Sequence, residues 1–240
     1  GMSGGPALDA RGAVYGVNVS LISNRQLVGF VVPARHISPL LASARRPLDD
    51  ALSPRQVRAQ VAAQVLAHQA EALAPPADGP GTQVVHGYTL PTQMAATLEC
   101  ATTGTAATGT RLSVELIGCG APSRLRIQPG LEVGQIQVQH RVVSSTRLHP
   151  LQFAQRLNRL AALRQPTGLA RDVADFACRD SLVSLDGFDA RLSTCVRQYR
   201  LFDGLYDFEL ALVSVSHEEH ALVSHVTLRG TSFESGQAFI

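Results

Sequence analysis

Lysine is absent from this chain. All 21 basic residues are arginine, set against 19 acidic ones, and the formal net charge of the 240 residues is only +2. So small an excess gives no electrostatic footprint for nucleic acid or for an anionic membrane surface. No apolar run approaches the roughly 20 residues that a membrane-crossing helix needs. Internal repeats and low-complexity tracts are missing. No secretory leader is visible, but the chain opens inside a motif, so a true N-terminus is expected further upstream. What remains is ordinary for a globular protein: 45% hydrophobic and 17% charged residues, in a length that suits one large domain or two small ones.

Cysteine is scarce but even in number: the four residues Cys100, Cys119, Cys178 and Cys195 permit two disulfides. Asp186-Gly187 lies midway between the last two and is a strong signal for a two-residue hairpin turn. A turn centred there pairs Leu185 with Phe188 and Val183 with Ala190. Counting outward puts Cys178 opposite Cys195 in a non-hydrogen-bonded pair, with Cα atoms roughly 4.5 Å apart. That spacing is at the short end of the disulfide range. Cys100 and Cys119 form the second candidate pair by elimination. Four reduced cysteines buried as small hydrophobes are the alternative. Disulfides would place the protein outside the cytoplasm, in the periplasm or secreted.

Apolar patterning predicts strands at 13–22 and 26–34, with a turn around Asn24, and a short helix beginning at Ile37-Ser38-Pro39. Ser53-Pro54-Arg55-Gln56 reads as a capping box with proline at the first helical position. The helix that follows carries Val57, Val61, Val65, Leu66 and Leu73 as its apolar stripe and ends at Ala74-Pro75-Pro76. Residues 74–82 read as a linker. Beyond it the pattern is mostly β, with strands at 83–90, 93–101, 110–118, 123–128 and 135–143. A helix at 150–164 follows, marked by Phe153, Leu157, Leu160 and Ala161. After the Asp186-Gly187 hairpin come strands near 196–202, 205–216 and 220–231, with Asp203-Gly204 as a second turn. The expected fold of 83–240 is an α+β domain with an antiparallel sheet, similar to no family that its residues identify.

The most specific signal is at the start. Gly1-Met2-Ser3-Gly4-Gly5-Pro6 places a serine between glycines ahead of Gly-Pro. It is followed by Gly12-Ala13-Val14-Tyr15-Gly16-Val17-Asn18-Val19 and by Gly29-Phe30-Val31-Val32-Pro33-Ala34. These three blocks, over residues 1–46, resemble the trypsin-like serine proteases, most closely the bacterial branch that includes the periplasmic high-temperature-requirement proteases. The resemblance implies a mainly β chain in which 1–46 supply the C-terminal strands and helix of an incomplete double β-barrel. Residues 47–82 would be a helix and linker, ahead of the α+β domain at 83–240.

That resemblance implies a serine endopeptidase acting on a protein or peptide substrate without a cofactor. Ser3 would be the nucleophile, and the backbone N–H groups of Ser3 and Gly1 the oxyanion hole. In the family the triad runs His, Asp, Ser along the chain, so the general base and its orienting carboxylate are expected ahead of Gly1, and this chain alone is expected to be inactive. Val19, Ser20 and Leu21 match the segment that pairs with substrate backbone, and Gly29 matches the opposite pocket wall. The lack of an acidic residue there suggests a preference for small or medium apolar side chains. Met2 replaces the aspartate that digestive relatives pair with a new N-terminal amine, which argues against that form of activation. The alternative is a pseudoprotease or scaffold whose C-terminal domain binds a protein or envelope partner. His217-Glu218-Glu219-His220, with His225 nearby, lacks the H-E-x-x-H spacing of catalytic zinc sites, so no metal site is expected. His36 and His149 read as surface or helix-start residues, and His86 and His140 as solvent-facing strand residues.

Overall fold

The computed structural model describes residues 4–21, 29–44, 52–105, 112–121, 125–145, 147–163, 171–185, 187–215 and 220–240. They form two units, Gly1–Leu52 and Ser53–Ile240.

In the first unit, β1 (Pro6–Leu8), β2 (Val14–Leu21) and β3 (Gly29–Pro33) make a three-stranded antiparallel sheet in that order, followed by α1 (Ala34–Ala44). Asp9 builds the turn between β1 and β2. Its Oδ1 accepts from the backbone N–H groups of Arg11 and Ala13, both at 2.9 Å. Those bonds, Ala13's first, hold its carboxyl below the usual carboxylate range. The helix begins at Ala34 rather than Ile37 and carries Pro39 in its interior. Its first turn therefore needs no proline to start it, and Ser38 Oγ donates back to the Ala34 carbonyl. The described strands close no barrel. Leu8, Val14, Tyr15 and Phe30 are each more than half exposed, and Leu40 is 67% exposed.

The second unit opens with α2 (Pro54–Ala72). Ser53 Oγ accepts from the Gln56 N–H and Gln56 Oε1 accepts from the Ser53 N–H, completing the capping box. Its buried stripe is Ala62, Val65, Gln69 and Ala72, whereas Val57 is 44% exposed. Of the expected stripe, Val65 is buried and Val61, Leu66 and Leu73 are half-buried against the core, so only Val57 points outward. Ala62 and Val65 pack in a second small core with Leu131, Val133, Val173, Tyr199, Phe202 and Leu205, whereas Ala72 joins the core that includes Tyr88 and Leu90. The helix is thus part of this unit's packing, not of a tether.

The remaining elements follow in order: β4 (Gly81–Val85), β5 (Tyr88–Gln93), β6 (Glu99–Thr105), β7 (Ser113–Gly120), β8 (Leu125–Gln128), β9 (Leu131–Val133), β10 (Ile136–Ser144), α3 (Pro150–Ala161), β11 (Ala177–Leu185), β12 (Phe188–Gln198), β13 (Tyr206–Ser214), β14 (His220–Thr231) and α4 (Phe233–Phe239). The stretch read as one strand at 83–90 is a hairpin. His86 and Gly87 both take positive φ, 46° and 85°, which is the pairing a tight primed turn requires. The strand expected at 196–202 is instead the end of β12, and Gly204, at φ 81°, turns the chain into β13.

Seven strands form one antiparallel sheet in the order β11-β12-β13-β14-β10-β7-β6. One face carries Ile117, Ile136, Val138, Phe208, Leu210, Leu222 and Leu228, covered by Val85, Tyr88 and Leu90 of the β4–β5 hairpin and by Ala95 and Leu98. On the other face, Phe153 and Leu157 of α3 lie on Val143, Ala221 and Val223. Each such burial contributes about 1.5–3 kcal/mol, so the unit is held by two apolar layers with the sheet between them.

Cross-strand disulfides join Cys178 to Cys195 and Cys100 to Cys119, each with Cα atoms 4.0 Å apart. Leu185 faces Phe188, Val183 faces Ala190 and Cys178 faces Cys195 across β11–β12. The bridges close loops of 17 and 19 residues in sequence separation. Replacing both Cys178 and Cys195 by Ser is expected to lower unfolding stability by about 3 kcal/mol. Urea denaturation with and without reductant checks this, and an unchanged midpoint would show that β11 contributes nothing to cooperative unfolding.

Candidate functional site

In the first unit, the residue after Ser3 adopts a left-handed conformation: Gly4 has φ 85°. Its N–H donates to the Asn18 carbonyl at 2.7 Å, and the Asn18 N–H donates to the Gly5 carbonyl at 2.9 Å. A side chain at Gly4 would be strained there, so the glycine is needed for the turn. Gly1 and Ser3 themselves lie outside the described residues. Val19 is 44% exposed. Ser20 pairs with Phe30 and Leu21 with Gly29, so the two segments expected to flank a cleft run on adjacent strands.

In the second unit, the sheet face that carries α3 becomes polar where the helix ends. Its organising residue is Asp207, whose side chain is fully buried. The register of β13 and β14 shifts between Tyr206, opposite Thr231, and Asp207, opposite Arg229, which leaves Gly230 as the extra residue of a β-bulge. Gly230 has φ 71°, and a Cβ there would lie 2.7 Å from Val133 Cβ. The bulge deprives its N–H of a ladder partner, and Asp207 Oδ1 accepts it at 3.1 Å. The same oxygen accepts from the Tyr199 hydroxyl at 2.7 Å, while Arg197 donates from Nε and Nη2 to Oδ2, both at 2.8 Å. Burial, reinforced by the negative charge of Asp207, pushes the Tyr199 hydroxyl far above its ordinary range, so it stays a donor. Arg229 reaches Asp207 at 3.9 Å and hydrogen-bonds Glu209, which also accepts from the Thr227 hydroxyl at 2.9 Å. From the α2 side, Gln69 donates to the Arg229 carbonyl at 2.7 Å.

Arg229 and Glu209 form part of the lining of an open trough of about 530 Å³. Gln137 and Gln139, on β10, face Thr227 and His225 on β14, and Gln135, Arg141 and Arg159 complete the polar lining. His225 Nε2 pairs with the Leu160 carbonyl at 2.9 Å, tying the last turn of α3 to the sheet. A second hollow, of about 450 Å³, lies beside the Cys178–Cys195 bridge and is lined by Asp180, Arg191, Ser193 and Val213 among others.

His140 departs from expectation. It is only 5% exposed, on the apolar face, with Nδ1 2.8 Å from Ser224 Oγ. Position parity decides this: His140 shares its face with Val138 and Val142. Burial pushes its imidazole below its ordinary value. On the same face Tyr88 donates to Ser214 Oγ at 3.1 Å, and burial raises its hydroxyl. His86 is in a turn, stacked on His220 at 4.5 Å between ring centroids and 3.0 Å from Glu115. His217, Glu218 and Glu219 lie outside the described residues. His149 caps α3, accepting from the Leu151 N–H, and His36 is exposed on α1.

The charged group around Asp207 was not anticipated from sequence. The available signal was alternation: Asp207 and Glu209 on one strand, Thr227 and Arg229 on the next, and Gln137, Gln139 and Arg141 on a third, with Gln135 just ahead of it, each repeat every second residue. Comparison of the chain with protein-family models, curated proteins and solved structures finds no match.

Asp207→Ala is expected to cost about 3–5 kcal/mol, because it strands two buried guanidinium groups. Chemical denaturation monitored by circular dichroism measures it, and a loss below about 1 kcal/mol would contradict the role given to this carboxylate. His140 stays neutral in the fold but takes up a proton in the unfolded chain below about pH 6.5. Its contribution is therefore present above that pH and lost as the pH falls through it. The urea midpoint should drop between pH 7.5 and 5.5, and His140→Gln should flatten that drop.

Proposed function

We propose that the first unit belongs to a trypsin-like serine endopeptidase, in which Ser3 attacks the substrate carbonyl. Ser3 gives its proton to a histidine supplied by sequence ahead of Gly1 and forms an acyl-enzyme that water then hydrolyses. The supporting observation is the left-handed Gly4 directly after Ser3, tied by its N–H to Asn18 on β2. A tight turn there is what a serine hydroxyl needs to stand beside an oxyanion pocket built from neighbouring N–H groups. In this reading Leu8, Val14, Tyr15 and Phe30 are exposed because the rest of a double β-barrel covers them. Val19, Ser20, Leu21 and Gly29 flank the substrate. The two disulfides fit a periplasmic or secreted location.

The full-length protein carrying this chain should be labelled by a fluorophosphonate probe, and Ser3→Ala should abolish the labelling. Equal labelling of the Ser3→Ala protein would overturn the assignment. The polar trough of the second unit favours a second reading, in which that unit binds a partner whether or not Ser3 is active. A full-length wild-type protein that takes no probe would favour it.

A further inference from the structure

We propose that the trough over β10, β13 and β14 is a binding site for an extended acidic peptide. The proposal is independent of the role given to Ser3.

Charge is the first argument. Among the described residues, the lining holds three guanidinium groups, from Arg141, Arg159 and Arg229, against one carboxylate, that of Glu209. That carboxylate is already engaged by Arg229 and the Thr227 hydroxyl. Arg229 is itself buried and paired with Glu209, so the surplus of positive charge comes from Arg141 and Arg159, in a chain whose net charge is only +2. Arg159 is exposed on the last turn of α3, and Arg141 is half-buried on β10. Guanidinium groups favour carboxylates by planar two-point hydrogen bonding.

Spacing is the second. Gln135, Gln137, Gln139 and Arg141 follow one another at two-residue intervals along one edge of the lining, so their roots repeat every ~6.6–6.8 Å. An extended peptide laid along β10 repeats its own backbone groups at the same interval. Gln135 donates to Gln137 Oε1 at 3.1 Å and Arg141 to Gln139 Oε1, which orders the row, and the amide N–H groups of Gln137 and Gln139 suit peptide carbonyls. Among the described residues no Phe, Tyr or Trp lines the trough, which disfavours nucleobases and sugars that bind by ring stacking. Its volume of about 530 Å³ falls within the range of specific ligand sites.

Rigidity is the third. The floor is fixed from below by the Asp207 cluster and by Gln69 on the Arg229 carbonyl, and the rim by His225 on the Leu160 carbonyl. A site set in advance loses little ordering entropy on binding. Meanwhile α3 covers only the apolar part of this face, at Val143, Ala221 and Val223.

The test uses the 240-residue chain carrying Ser3→Ala, so that no signal depends on turnover. Fluorescence anisotropy is measured with a labelled Glu-Ala-Glu-Ala-Glu-Ala peptide, with its Lys-Ala counterpart, and in competition with free glutarate. The expected result is saturable binding of the Glu-Ala peptide, weakened by added salt. It should be at least tenfold tighter than for the Lys-Ala peptide or glutarate. Arg159→Glu should weaken it at least tenfold without changing the melting temperature, since Arg159 is exposed. Arg141→Gln is a second variant that removes one guanidinium group while keeping a hydrogen-bonding side chain. Any of four results would overturn the proposal: no saturation by ~1 mM peptide, equal binding of the Lys-Ala peptide, competition by glutarate at the peptide's own concentration, or wild-type affinity in both variants.

Discussion

Burying a carboxylate costs several kcal/mol unless its hydrogen bonds are replaced, and Asp207 meets that demand with three donor residues from two separate places. Arg197 and Tyr199 come from the end of β12, and the Gly230 N–H comes from the bulge on β14. Neither the bulge nor the burial is stable alone. The bulge leaves an N–H without a ladder partner, and the carboxylate needs donors that a regular strand would have used up. Together they fix the end of the sheet against α2, where Gly230 sits beside Val133 and Val65. Arg229, one residue before the bulge, is thereby aimed at Glu209.

The two faces of the seven-stranded sheet divide the work. The apolar face is covered by the β4–β5 hairpin and gives most of the burial. The opposite face is half covered by α3 and half open, and its open part is polar because its side chains alternate with those of the core. Edge strands are a liability in any open sheet, since their unpaired backbone groups recruit other chains. Here β6 and β11, the two edges, are each bound to their neighbour by a disulfide, Cys100–Cys119 and Cys178–Cys195. The bridges lie on opposite faces, since Cys119 joins the apolar core whereas Cys195 faces Glu209. Stability that depends on such links suits an oxidising compartment.

Much of this was legible in the sequence wherever the signal was local. The Asp186-Gly187 signal predicts a register that brings two cysteines face to face seven residues out from the Leu185–Phe188 pair, and the strands keep it. Ser53 and Gln56 announce α2, and Phe153 and Leu157 announce α3. Signals failed where tertiary context decided between equal local choices. His86-Gly87 sits in an unbroken apolar pattern, and only the positive φ values reveal a hairpin. Of the expected apolar row of α2, Val65 is buried and Val61, Leu66 and Leu73 are half-buried, but Val57 is exposed, and tertiary packing adds Ala62, Gln69 and Ala72, which the apolar pattern does not mark. His140 was read as polar and outward, although strand alternation with Val138 and Val142 turns it inward. The candidate site divides in the same way. The serine motif is contiguous and can be read directly. The trough is assembled from β10, β13, β14 and α3, and no single stretch of sequence announces it.

Asp207 presets the sheet end on which the trough is built. Native-state hydrogen exchange at the Gly230 amide tests this most directly, because that N–H has the buried carboxylate as its acceptor in place of a strand partner. Gly230 is expected to exchange only through global unfolding, with the same denaturant dependence as the amides of Leu210 and Leu228 in the core. Exchange through a local opening, insensitive to denaturant and much faster than those neighbours, would contradict it.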